Sequence, residues 1–329
     1  MKFAIISPAT EVMPLYIDGA VAELCRCGHE AVVLPHAKGP RHGTFAASDA
    51  DRLSDLEQAL TDPSVDVILC ARGGYGCVHL LSERLERLVS RNRKWLVGFS
   101  DISALHALWL NAGAPSLHAS MAKQLALRSP ESQADEVRAF LEPELGPEAD
   151  REGLLRSAEA TLRILEGAKE ISYTFTPAGI LNAPAPHTVA EGIIMGGNLA
   201  VLNGLAATRW DILSAERLRG RVLFLEDVGE KIYQVERMLT RLHLAGVFDA
   251  VSAVVFGTFT DYRADRNYPS MEAMIADRFR RWGVRCPVVT GVPIGHQSHN
   301  LPIPEGWHAR LDISAPSATL TLTALPLTL

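Results

Sequence analysis

The chain has 329 residues, enough for two domains of ordinary size, and its 47% hydrophobic and 21% charged residues are typical of a soluble globular protein. The formal net charge of −6 gives a general nucleic-acid-binding role no electrostatic support. No apolar run approaches the roughly 20 residues of a membrane span, and the N-terminal apolar stretch is too short for a signal peptide. The 5 cysteines, mostly inside apolar runs, predict reduced, mostly buried thiols and a cytoplasmic location.

Strands and helices alternate from the N-terminus as far as Asn111. Uninterrupted apolar runs predict buried strands at 2–6, 29–34, 65–70 and 95–97. Helical periodicity predicts helices at 15–27, 49–61, 78–91 and after Ser100. This alternation predicts an α/β fold with a parallel sheet covered by helices on both faces, and ligands bind such sheets beyond the carboxyl ends of the strands.

The second half of the chain is organised differently. We interpret the charged, proline-rich stretch 130–170 as a connection with one or two helices, and the Pro/Ala-rich stretch 177–186 as a linker. The predicted domains are residues 1–170 and 188–329, joined by a linker at 171–187. Further elements are predicted as strands at 189–195, 221–225, 250–256 and 288–289, helices at 232–245 and 271–282, and antiparallel strands within 307–329.

Three loops that leave predicted strand ends, at 7–9, 72–76 and 98–101, can converge on one crevice. Ser100 lies in the last of them, at a strand-to-helix turn. Such a turn lifts a serine hydroxyl clear of the sheet edge and points the following N–H groups at whatever the hydroxyl attacks. The alternative interpretation is that Ser100 or Asp101 simply caps the helix.

Acyl transfer by a serine needs a base and an acid that orients the base. His296 lies in a Gly/Pro-rich turn and Glu226 at a predicted strand end, so they are candidates for these two roles. In the alternative interpretation, Glu226 and Asp227 begin the following helix, while His296 and His299 are surface histidines or metal ligands. We expect no metal, since no cysteine or acidic cluster accompanies the histidines.

The glycine loop, defined as Arg72–Gly76, does not match a known phosphate motif. It lacks the Gly-Lys-Ser/Thr of a P-loop and the third glycine of a dinucleotide fingerprint. Glycines let backbone N–H groups approach a substrate closely. The N–H groups of Gly73, Gly74 and Tyr75, with that of Asp101, are therefore candidates for an oxyanion hole.

These motifs occur in the order found in the LD-carboxypeptidases, which the chain resembles over nearly its whole length. The motifs are Arg72-Gly73-Gly74-Tyr75-Gly76, Gly98-Phe99-Ser100-Asp101, Gly196-Gly197-Asn198-Leu199, Leu225-Glu226-Asp227 and Gly295-His296. That serine peptidase family includes murein tetrapeptide carboxypeptidases and microcin C self-immunity peptidases. The resemblance implies a flavodoxin-like N-terminal domain, a swivelling C-terminal domain of β/β/α type, no cofactor and commonly a homodimer.

The resemblance also implies site residues and a substrate class. Ser100 would be the nucleophile, His296 the base and Glu226 the acid. Together they would cleave the LD-amide bond to a terminal D-alanine in murein tetrapeptides, in peptidoglycan recycling. Arg72 and Asn198 are candidate substrate-binding residues, although Arg72 could equally pair with a structural acid. Two alternatives stay open: a microcin-type immunity peptidase that cleaves peptidyl or aminoacyl nucleotide analogues, and a non-catalytic protein whose two domains bind a small ligand.

Overall fold

The computed structural model describes residues 1–128, 151–183 and 187–325. Part of the predicted connection at 130–170 and residues 184–186 of the predicted linker lie outside these ranges. The chain divides into two compact units. Unit 1 comprises Met1–Glu166 and Ser298–Ile303, and unit 2 comprises Gly167–Gln297 and Pro304–Leu329.

Unit 1 contains a parallel sheet. Its strands are β1 (Lys2–Ile6), β2 (Glu30–Val33), β3 (Val67–Cys70), β4 (Trp95–Gly98) and β5 (Ser116–His118). They lie in the order β2-β1-β3-β4-β5, with every neighbouring pair parallel. The short strand β12 (Ile303–Glu305) begins at the last residue of unit 1 and ends in unit 2. This is the flavodoxin-like strand order, so the prediction of that fold is confirmed.

Helices cover the sheet of unit 1. They are α1 (Pro14–Arg26), α2 (Asp49–Thr61), α3 (Glu83–Asn92), α4 (Ser103–Ala112), α5 (Ala122–Ala126) and α6 (Arg151–Leu165). Helices α1 and α5 pack together, while α2, α3 and α4 form a second group. Cover on both faces explains why the central strands are continuously apolar, and Ile6, Leu69 and Val97 have no exposed surface.

The prediction of one helix over 78–91 is wrong. A 3₁₀ turn covers Cys77–Leu80, and α3 starts only after Ser82. The Ser82 hydroxyl accepts the N–H of Leu85 at 3.2 Å, which makes Ser82 the N-cap of α3.

Unit 2 is built on an eight-stranded sheet. Its strands are β6 (Glu170–Phe175), β7 (Gly179–Leu181), β8 (Thr188–Asn198), β9 (Val222–Val228), β10 (Ala253–Thr260), β11 (Val288–Thr290), β13 (His308–Ser314) and β14 (Ser317–Thr323). They lie in the order β6-β14-β13-β8-β9-β10-β11-β7. Its helices are α7 (Leu199–Asn203), α8 (Ile232–Leu244), α9 (Val247–Ala250) and α10 (Met271–Trp282).

Strands β8 to β11 of unit 2 are parallel to one another. The antiparallel pairing predicted near the C-terminus is confirmed by β13 and β14. Strands β6 and β7 fall within or overlap the range 171–187 that was expected to be a linker. There β6 pairs with β14 and β7 pairs with β11, so both extend the sheet.

All five cysteines are free, but the expectation that most are buried is wrong. Cys70 and Cys77 are buried, Cys25 is exposed, and Cys27 and Cys286 are half-buried. Across residues 1–128, 151–183 and 187–325, no helix is both long enough and apolar enough to cross a bilayer.

Candidate active site

Ser100 lies in a strained turn between β4 and α4 of unit 1. Its φ of 64° is in the left-handed region, which costs an L-residue about 1–2 kcal/mol. Strain of this kind is typical of a nucleophile placed on a sharp strand-to-helix turn. The N-cap residue of the 3₁₀ turn is Phe99, and that of α4 is Ile102. Neither N-cap makes a side-chain capping hydrogen bond. The structure therefore does not support the helix-cap interpretation of Ser100.

The glycine loop lies against this turn because Gly73 has no side chain. A Cβ at Gly73 would lie 2.9 Å from the Cβ of Ser100 and 3.2 Å from its Oγ. The N–H of Tyr75 donates to Thr10 Oγ1 at 3.1 Å, so this predicted oxyanion donor already has an acceptor. The backbone of Gly73 is thus the part of the loop that contacts Ser100.

Asp101 holds the residue that directly follows the glycine loop through its side chain. The carboxylate is 3% exposed and accepts the N–H of Cys77 at 2.9 Å. Burial raises the pKa of Asp101, against the hydrogen bonds from Cys77 and the charge of Arg52, which lower it. The carboxylate therefore has a structural role, and the backbone N–H of Asp101 remains the candidate oxyanion donor.

A buried arginine that the sequence analysis missed joins two loops of unit 1. Arg52 is 2% exposed, and its Nη1 donates to the backbone oxygens of Pro8 and, at 3.1 Å, of Gly76. It lies on the buried face of α2 with Leu56 and Leu60. That i, i+4, i+8 spacing was the available signal, because it placed an arginine on a helix face that should be apolar.

His106 fixes the end of β4 just before the turn. Its Nε2 lies 2.9 Å from the carbonyl oxygen of Gly98, which can only accept, so Nε2 carries the proton. The hydroxyl of Ser116 then donates to Nδ1 at 2.5 Å. Burial lowers the pKa of His106 to about 3, so the ring is neutral in the folded protein.

Unit 2 contains the predicted acid and base, and they are in direct contact. The Nδ1 of His296 lies 2.8 Å from Oε2 of Glu226, which has no exposed side-chain surface. Because a carboxylate accepts, the proton is on Nδ1, and in neutral imidazole Nε2 carries the lone pair. The pair has the geometry of a base and the acid that orients it.

Acidic neighbours raise the pKa of His296. Burial acts to lower it, but the charge and hydrogen bond of Glu226, with the charges of Asp227 and Asp261, outweigh that effect. A more basic imidazole is better suited to take a proton from a hydroxyl.

Two glycines make room for the Glu226 carboxylate. A Cβ at Gly295, whose φ is 123°, would lie 2.8 Å from Oε2 of Glu226. A Cβ at Gly257 would lie 3.0 Å from the Cβ of Glu226 and 2.3 Å from the backbone oxygen of Ile294. The register between β9 and β10 shifts between Phe256 and Phe259, as bulges next to functional sites commonly do.

Asn198, a candidate substrate-binding residue, holds Asp227. Its Nδ2 donates to Asp227 Oδ1 at 3.1 Å, and its Oδ1 caps α7 by accepting the N–H of Val201 at 3.1 Å. Burial and the charge of Glu226 raise the pKa of Asp227 to about 7. The N-cap of α8 is Lys231, so the alternative in which Glu226 and Asp227 begin that helix is wrong.

A buried carboxyl that the sequence analysis missed also lies in unit 2. Glu305 is 4% exposed, and burial raises its pKa to about 8, against a hydrogen bond with the backbone of Gly196 that lowers it. Within the described ranges, no group of three or more His, Cys, Asp and Glu side chains is arranged to hold a metal ion.

The chain matches known proteins over nearly its full length. The model of the LD-carboxypeptidase N-terminal domain matches residues 3–119, and that of the C-terminal domain matches residues 191–311. A Streptomyces coelicolor protein, named as a candidate carboxypeptidase, is 33% identical over 98% of this chain and 94% of its own length. The murein tetrapeptide carboxypeptidase of Pseudomonas aeruginosa is 28% identical over 94% of this chain and 93% of its own.

Solved structures agree. The crystal structure of muramoyltetrapeptide carboxypeptidase from Oxalobacter formigenes superimposes with a TM-score of 0.77 at 28% identity, covering 98% of this chain and 100% of that one. A shorter match, 31% identical over 40% of this chain and 37% of its own length, is to the microcin C7 self-immunity protein of Escherichia coli. From the two domain matches and the full-length relatives, we conclude that this chain is a member of the LD-carboxypeptidase family.

Proposed function

We propose that the protein is a serine-type LD-carboxypeptidase that releases the terminal D-alanine from murein tetrapeptides, and that it serves peptidoglycan recycling in the cytoplasm as a homodimer. The observation that carries the serine mechanism is the hydrogen bond of 2.8 Å between His296 Nδ1 and the buried Glu226. The names of the Pseudomonas and Oxalobacter relatives support the substrate.

In the proposed reaction, Nε2 of His296 takes the proton of the Ser100 hydroxyl as Oγ bonds to the carbonyl carbon of the amide. Glu226 stabilises the resulting imidazolium. Backbone N–H groups of the glycine loop and of Asp101 stabilise the negative charge on the carbonyl oxygen. The C–N bond then breaks, and the imidazolium gives its proton to the amine of the departing D-alanine.

The second half of the reaction restores the enzyme. His296 takes a proton from water as the water oxygen attacks the ester carbon of the acyl-enzyme. The bond to Ser100 breaks, Oγ regains its proton from His296, and the shortened peptide leaves as a carboxylic acid. No cofactor or metal is needed for either half.

The test measures D-alanine released from a murein tetrapeptide by the wild-type protein and by Ser100→Ala. We expect release by the wild type, and a loss of at least about 10³-fold in the variant, because little catalysis remains without the nucleophile. Equal rates would refute the assignment of Ser100. A wild-type protein that binds the peptide but releases no D-alanine would support the non-catalytic binding alternative.

A second candidate function is cleavage of an aminoacyl nucleotide analogue. The partial match to the microcin C7 self-immunity protein favours including it. An aminoacyl sulfamoyl nucleotide, assayed beside the tetrapeptide, separates the two functions. A higher kcat/KM on the nucleotide substrate would replace the murein peptide as the proposed substrate.

A further inference from the structure

A cavity of about 450 Å³ lies in unit 1, next to the glycine loop. Its wall is formed by the segments that follow β1, β2 and β3, so it lies at the carboxyl ends of neighbouring parallel strands, where such sheets bind ligands. The charged residues that line it are Glu11, Lys38, Arg41 and Arg72.

Hydrogen bonds between the first two segments keep this wall in place. The N–H of Glu11 donates to the backbone oxygen of Thr44, and that of Ala46 to the oxygen of Ala9, each at 3.1 Å. The buried hydroxyl of Ser7 donates to the backbone oxygen of Ala37 at 2.6 Å. The cavity is therefore formed by tethered backbone, which suits a pre-formed binding site.

Positive charge dominates the lining. Arg41 pairs with Glu11 at 3.0 Å, and Lys38 pairs with Asp18. Arg72 donates to the backbone oxygen of Glu11 at 3.3 Å, and among the described residues no ion pair includes it. A guanidinium has five N–H donors, so Arg72 keeps several for an anion.

We propose that this cavity binds a carboxylate of the acyl portion of the peptide substrate, with Arg72 as its main partner and Lys38 and Arg41 as supporting charges. The inference rests on the proposed function and adds a specificity site to it. Arg72 directly precedes Gly73, whose backbone lies against Ser100, so the cavity adjoins the loop that contacts the candidate nucleophile.

The size of the cavity favours the acyl portion over the released amino acid. A volume of about 450 Å³ is within the range of pockets that hold small organic ligands, and a single alanine would leave most of it empty. An acidic peptide on the acyl side supplies both the length and the negative charge. Arg–carboxylate hydrogen bonds are also directional enough to select such a substrate.

The test measures binding of two probes to the Ser100→Ala protein, so that no turnover is needed. One probe is the murein tripeptide with free carboxylates, and the other is the same tripeptide with its carboxylates amidated. We expect Arg72→Gln, added to Ser100→Ala, to weaken binding of the free tripeptide by about 10- to 100-fold, the range for hydrogen bonds to a charged group. Binding of the amidated tripeptide should not change. Lys38→Gln, at an exposed residue, should give a smaller loss with the same selectivity.

The matched control is Arg87→Gln, which removes an exposed arginine of α3 that pairs with Glu83 and does not line the cavity. This variant should bind both probes like its parent. If Arg72→Gln weakens binding of both probes equally, or weakens binding of neither, the proposal is refuted. Tighter binding of inorganic phosphate than of the free tripeptide, dependent on Arg72, would also refute it and identify a phosphate site.

The two proposals fail in different ways. If the wild type releases D-alanine but Arg72→Gln does not discriminate between the probes, only the carboxylate site is wrong. If the free tripeptide binds through Arg72 and the wild type releases no D-alanine, only the proposed reaction is wrong.

Discussion

His296 is held by Glu226 through a hydrogen bond of 2.8 Å, and the carboxylate that accepts it has no exposed side-chain surface. Low local dielectric strengthens such a bond, and it also makes the loss of either partner costly. The orientation of the imidazole therefore depends on one buried side chain, which also contributes most to raising its pKa.

Glu226→Gln should lower kcat by about 10³- to 10⁴-fold, the loss seen when the acid of a serine triad becomes an amide. The charge of Glu226 raises the pKa of His296, so the variant has a less basic imidazole. The base must be unprotonated to act, and the acid limb of the kcat/KM profile should consequently move to lower pH. Steady-state rates of D-alanine release across pH measure both effects.

Asp261→Asn is the matched control for Glu226→Gln. Asp261 also raises the pKa of His296 through its charge, and its φ of 56° is one that asparagine tolerates. We expect a small shift of the acid limb in the same direction, with kcat nearly unchanged. An acid limb that stays in place in Glu226→Gln would contradict the role of this carboxylate.

Gly295→Ala should disturb the pair by steric contact. Its Cβ would lie 2.8 Å from Oε2 of Glu226, and the φ of 123° is strained for any side chain. We expect a loss of about 1–3 kcal/mol in the free energy of unfolding and a drop of about 10- to 100-fold in kcat, because small misplacements of catalytic groups are costly. Chemical denaturation and initial rates measure the two changes.

Gly246→Ala separates backbone strain from this contact. Gly246 has a φ of 72°, but a Cβ there would meet nothing within 4 Å. The Gly246→Ala variant should lose about 1 kcal/mol in the free energy of unfolding and keep its activity. Equal loss of kcat in the two variants would show that the Gly295 contact with Glu226 does not matter.

Glu305→Gln should change how stability depends on pH. The pKa of Glu305 rises from 4.5 to about 8 on folding, so the folded protein holds a proton that the unfolded chain has lost between these values. The stability this carboxyl contributes is complete below pH 4.5 and is lost as pH rises towards 8. Glutamine stays neutral at every pH. Relative to the wild type, the free energy of unfolding of the variant should therefore increase by up to about 5 kcal/mol over this range.

Urea unfolding of both proteins at several pH values gives this difference. The exposed Glu216, replaced by glutamine, shows how much of any change follows from losing one carboxylate anywhere. A difference between Glu305→Gln and wild type that stays constant from pH 4.5 to 8 would contradict the buried, protonated carboxyl.

Local patterns predicted much of this fold. Strands β1, β3 and β4 are continuous apolar runs because helices cover both faces of their sheet, and that rule depends only on neighbouring residues. Some short elements escaped prediction. Strand β7 has 3 residues and helix α5 has 5, too few for a periodicity to show.

The candidate residues Ser100, Glu226 and His296 were recognisable from their positions at the ends of predicted elements and from the family motifs. The contacts that surround these residues were not recognisable from the sequence. Glu226 meets His296 across 70 residues of sequence, through a contact that needs Gly295 to have no side chain. Arg52 and Glu305 look like ordinary charged residues in the sequence, yet both are buried. Burial and hydrogen bonding over such separations arise from packing between distant segments, which short-range hydrophobic patterns do not encode.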